Sequence, residues 1–133
     1  MLRSIAAIVC GFILITVLSL GADSLLMRIV PDWFTGNGGT RHFLVLAFAL
    51  FYSFWFFALG GYFTALTARR AEQLHAFVLA FLLLVMSILA TIQMYDTAPL
   101  WWHLIMLVQT IPAVMIGAHF RSNRKRKFYP LKA

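Results

Sequence analysis

Apolar residues run almost unbroken over four stretches, about 4–27, 42–66, 74–93 and 100–120, and polar residues gather between them and at the two ends. Each stretch reaches the roughly 20 residues that a helix needs to cross a hydrocarbon core about 30 Å thick. None alternates as a barrel strand does, and backbone groups in lipid must be bonded within their own segment, so the pattern predicts helices. The links at 68–73 and 95–99 are short enough only for antiparallel hairpins. The expected fold class is therefore an all-α integral membrane protein, an antiparallel four-transmembrane-helix bundle forming a single domain over 1–133, with a basic tail at 121–133. In the longer first link, VPDWFTGNGGT, Pro31 stops the first helix and Asn37-Gly38-Gly39 permits a tight turn. Trp33, Phe34, Trp101 and Trp102 are expected in one interfacial belt at that end.

Small residues suggest which faces close the bundle, because helices in lipid associate by close packing and a few hydrogen bonds. Ala7 and Gly11 form a small-xxx-small pair on the first helix, Ala113 and Gly117 another on the fourth. Ala76, Ala80, Ser87 and Thr91 make a stripe on the third. These are expected inside. Pro112 is expected to shape packing within the fourth helix. The second helix differs, since Phe48, Phe51, Tyr52, Phe54, Trp55, Phe56 and Phe57 encircle it. A four-helix bundle cannot hide all these rings, so Phe48, Phe51, Tyr52, Trp55 and Phe56 are expected to meet lipid tails, another subunit, or a flat apolar molecule such as a quinone or carotenoid. Tyr52 and Trp55 also carry polar atoms that seek partners when far from the interface.

Composition agrees with a membrane class: 62% of the residues are apolar and 11% charged, against about 25% charged in soluble domains. The start MLR and the small residues at Ser19-Leu20-Gly21 invite comparison with a signal peptide, but the apolar run is longer than a usual h-region and is expected to persist as a span. Of eleven Lys and Arg, nine flank the N-terminus, the second link and the C-terminus (Arg3, Arg69, Arg70, Arg121, Arg124, Lys125, Arg126, Lys127 and Lys132), while Arg28 and Arg41 flank the first link. The positive-inside rule then predicts both termini cytoplasmic. Arg121, Arg124, Lys125, Arg126 and Lys127 suit anionic lipid headgroups, although topology signalling alone also explains them. No folded basic domain accompanies them, so nucleic acid is not an expected partner. A single cysteine, Cys10, leaves no intrachain disulfide or thiolate metal site.

Candidate chemistry concentrates at the end opposite the basic residues. Asp23 lies about six residues from the end of the first helix and His103 about four into the fourth, so their depths match. Gln93 closes the third helix, and Asp23, Gln93 and His103 are expected as one polar cluster with His42 above it. Ionisable groups inside a membrane are functional-site hypotheses. A proton relay needs an Asp and a His exchanging protons near neutral pH, and a metal needs three or four converging ligands. A purely structural hydrogen-bonded cluster, reached by water at the interface, is the plainer reading. His75, His119, Thr64, Thr67 and Glu72 are scattered near the basic end and receive no role. The chain has no HExxH helix, GxSxG turn, phosphate-binding loop or paired carboxylates, so no catalytic residues, no resident metal or cofactor, and no enzyme activity are expected.

Three segments, RIVPDWF, GGYFTALTARR and PLWWHL, together resemble uncharacterised small four-helix bacterial inner-membrane proteins, in which a GGY-x-x-A segment precedes a short basic turn. That resemblance implies a bacterial inner membrane and four spans, and supplies no activity or site residues. The expected function is a non-catalytic accessory subunit of a larger membrane complex, docked through its aromatic second helix. The alternative is a small oligomeric carrier or proton-linked channel using Asp23 and His103.

Overall fold

A computed structural model describes residues 2–36, 39–68 and 71–128, all but the links and ends of which are helical. The helices are α1 (Leu2–Ile29), α2 (Phe43–Ala68), α3 (Glu72–Gln93) and α4 (Leu100–Phe128), with single 3-10 turns at Pro31–Trp33 and Tyr95–Thr97. All four are long and apolar enough to cross a membrane. Asn37, Gly38, Arg69, Arg70 and Lys132 lie outside the described residues, as do the side chains of Lys125, Arg126 and Lys127. One boundary differs from the sequence expectation: α4 runs on to Phe128, so the first part of the expected tail continues the last span as helix. Neither Gly nor Pro interrupts 121–128, and Arg and Lys are good helix formers. Pro112 sits inside α4 without ending it.

The helices alternate in direction, as cross-helix pairs show: Thr64 on α2 bonds the Ala7 carbonyl on α1, while Ser122 on α4 reaches Glu72 on α3. α2 is the hub, packing on all three other helices and most extensively on α4 rather than on its hairpin partners. The reason is at the backbone. A Cβ on Gly61 would collide with Val114, and one on Gly117 with the Ala58 carbonyl, so α2 and α4 touch main chain to main chain. On the neighbouring face of α2, Gly60 and Thr64 receive Gly11 and Ile15 of α1. Ala7, Ala76, Ala80 and Ala113 are fully buried, placing the expected small-residue faces inside, and Leu79 and Val114 are the largest apolar side chains without exposure.

At the basic end the residues given no role by sequence knit the bundle. Thr64 Oγ1 donates to Ala7 O at 3.3 Å, and Ser122 Oγ donates to Glu72 Oε2 at 3.2 Å. The α2–α3 turn reverses through Ala71, whose φ of 48° is left-handed. At the Trp-rich end the first link folds over the bundle: Thr40 N donates to Thr97 O at 2.8 Å, Thr40 Oγ1 to Trp33 O at 2.7 Å, and Trp33 stacks on His42 with ring centres 4.0 Å apart. Gly39 lies so close to Thr97 that a Cβ would be 2.6 Å from its carbonyl oxygen.

Candidate functional site

Small residues that close the basic end give way, toward the Trp-rich end, to a cavity of about 280 Å³ with all four helices in its walls. Helical spacing explains the lining. On α1 Asp23, Leu26 and Met27 recur at three and four residues, on α2 Val45, Ala49 and Tyr52 do so, on α3 Ser87, Ala90 and Thr91, with Met94 just past its end, and on α4 Trp102, His103 and Met106. Ala49, Ser87 and Ala90 are too short to fill the centre, which leaves the space open. Phe34, Gly39 and Thr40 from the first link and Thr97 and Ala98 from the last form its roof.

The polar groups are few and unequal. Tyr52 Oη donates a hydrogen bond to Asp23 Oδ1, joining α2 to α1. A carboxylate can accept about four hydrogen bonds, so one neutral donor leaves most of Asp23's capacity open. His103 is only 5% exposed, and its Nε2 is buried with no hydrogen-bond partner. Most such atoms in proteins are satisfied, so this nitrogen is an anomaly, and its burial closes it to the space of the cavity as well. The other polar side chains point elsewhere: Trp102 Nε1 donates to Leu46 O at 3.2 Å and Thr91 Oγ1 to Ser87 O at 2.8 Å. Asp23 is the only formally charged residue in the lining, since no Lys or Arg reaches it among the described residues.

The structure thus brings Asp23 and His103 to one cavity, adds Tyr52, and leaves Gln93 exposed on the outer surface of α3. Gln93 follows Thr91 by two residues, about 200° around the helix, so a cavity-facing Thr91 turns it away. His42 belongs to the roof through its stack on Trp33. Of the rings expected on an outer surface, Phe48, Phe51 and Trp55 are more than half exposed and Phe56 is half-buried, while Tyr52 turns inward to Asp23. Sequence singled out Tyr52 as a polar ring in need of a partner without finding Asp23; the matching need of an acid for a donor was the available signal. Arg121 is half-buried and Arg124 exposed at the basic end. No group of three or more His, Cys, Asp or Glu among the described residues converges to hold a metal ion.

No protein-family model, curated protein or solved structure matches this chain. Its own residues carry the chemistry: an apolar chamber with one carboxylate, one phenol and one unsatisfied imidazole can hold a small molecule and orient its polar end.

Proposed function

We propose that this chain is a multi-pass membrane protein that binds a small, largely apolar molecule in the cavity at its Trp-rich end, as a carrier or binding subunit rather than as a catalyst. The observation that supports it best is the 280 Å³ chamber itself, apolar apart from a few polar groups, with the Asp23–Tyr52 pair in its lining. Ligand sites are typically apolar hollows of about 300–1,000 Å³ with a few placed polar groups, and this one, at about 280 Å³, lies just below that range. With both termini cytoplasmic in a bacterial inner membrane, as the basic residues and the resemblance imply, the cavity belongs to the outward half. Native mass spectrometry of protein purified in mild detergent tests the reading. The wild type is expected to carry a small-molecule adduct that Ala49→Phe, which fills the chamber, removes. Wild-type protein free of adduct, and unable to take up added apolar amphiphiles, would overturn it.

A second reading, the accessory subunit, is favoured by a different feature. Leu44, Phe48, Phe51, Trp55, Leu59, Phe63 and Leu66 form one exposed stripe along α2. Their spacing of three and four residues keeps them on one face. The same purification decides it: stoichiometric larger subunits, released by Phe51→Ala with Trp55→Ala, support docking, and a chain that emerges alone counts against it.

A further inference from the structure

The lining of the cavity is exposed on one side only. Asp23 and Met27 of α1 and Ala90 and Met94 at the end of α3 line the chamber and are also exposed, whereas Val45, Leu46, Ala49 and His103 behind them are buried. Overhead, Gly39 and Thr40 are buried beneath the pinned link. The mouth therefore lies between α1 and α3, two helices that touch each other little, and it faces sideways within the candidate spans. A molecule using that mouth comes from the bilayer. The first charge it meets is Asp23, and no cation in the lining offsets it.

We propose that the cavity takes a membrane-dissolved amphiphile with a protonated amine head, entering between α1 and α3. The ammonium pairs with Asp23, and the apolar body occupies the chamber lined by Leu46, Ala49 and Met106. A carboxylate away from bulk water gains most from a full counter-charge, which Tyr52 does not supply. Aromatic faces of Tyr52 and Trp102 add attraction for a cation. An anionic head would meet Asp23 with repulsion, and a neutral alcohol would leave Asp23 without its counter-charge.

The inference rests on the cavity being a small-molecule site, and a matched probe series separates the two. Protein in phosphatidylcholine nanodiscs, with Trp33, Trp55 and Trp101 replaced by Phe, reports occupancy through Trp102 fluorescence. Octylamine is expected to bind saturably and about tenfold or more tighter than 1-octanol, with octanoate weakest, where tenfold corresponds to about 1.4 kcal/mol. Asp23→Asn keeps an acceptor for Tyr52, so the fold is expected to survive while the preference for the amine disappears. Ala90→Trp, at the mouth, is expected to slow octylamine binding, followed here with radiolabelled amine because the added indole would mix with the Trp102 signal. Equal binding of octylamine and octanol would overturn the cation inference and leave the cavity reading standing. Saturable binding by none of the three would overturn both, and unchanged octylamine kinetics in Ala90→Trp would overturn the sideways entrance. Should Asp23→Asn misfold, the wild-type series still decides the head group.

Discussion

The hydroxyl of Tyr52 on α2 donates to the carboxylate of Asp23 on α1, and the two residues meet at the edge of the cavity. This bond ties the first two helices together on the side where the small-residue contacts of Gly11 and Gly60 no longer hold them. Interhelical hydrogen bonds in membranes average about 0.6 kcal/mol and reach about 1.7. Tyr52→Phe is therefore expected to cost about 0.6–1.7 kcal/mol. A double-mutant cycle with Asp23→Ala, read by unfolding in mixed micelles, should show positive coupling; additive effects would mean that the bond contributes nothing.

His103→Leu exchanges an unsatisfied buried nitrogen for an apolar side chain of similar length. Leaving a polar atom buried and unpaired costs about 1–3 kcal/mol, so this variant is expected to be more stable than the wild type. It should also alter probe binding, because the residue lines the cavity although its Nε2 is closed to it. Thermal unfolding beside probe binding checks both, and a destabilised His103→Leu would show that the imidazole supports the fold.

Glycines at the α2–α4 contact are expected to tolerate nothing larger. Gly117→Ala places a methyl against the Ala58 carbonyl and Gly61→Ala one against Val114, where overpacking costs about 1–3 kcal/mol. Gly21 in α1 has nothing within 4 Å of an added Cβ. Gly21→Ala is therefore expected to stabilise by up to about 1 kcal/mol through helix propensity. The opposite signs of the two substitutions, measured side by side, test the contact.

Ala71 holds a left-handed φ of 48°, which costs an L-residue about 1–2 kcal/mol. Ala71→Gly removes that strain at the price of a looser unfolded chain, for an expected net gain of some tenths of a kcal/mol. A loss of stability would mean that the Ala71 side chain matters more than its backbone.

Much of this architecture was legible because its signals are one-dimensional. Four spans follow from run length, and the buried Ala7, Ala76, Ala80 and Ala113 follow from spacing along single helices. The matched depths of Asp23 and His103 agree with both residues lining one cavity. What could not be read was rotation and register between helices. Gln93 was placed by depth alone, although the stripe through Ser87 and Thr91 already fixed which way α3 faces. The long link from Ile29 to Phe43 leaves the offset between α1 and α2 free, so Tyr52 was not matched to Asp23. The dominance of the α2–α4 contact depends on main-chain approach at Gly61 and Gly117, which short links between other helices do not announce.

That contact has a bearing on biogenesis. The widest interface of α2 is with α4, so in a chain made from its N-terminus the Gly61 face of α2 stays bare until α4 has been synthesised. A ribosome stalled after α3 would leave a three-helix intermediate lacking its main seam, and degradation of such a fragment would be selective for unfinished chains. In this picture α4 acts as the clasp of the four-helix bundle, which closes only when that helix is in place.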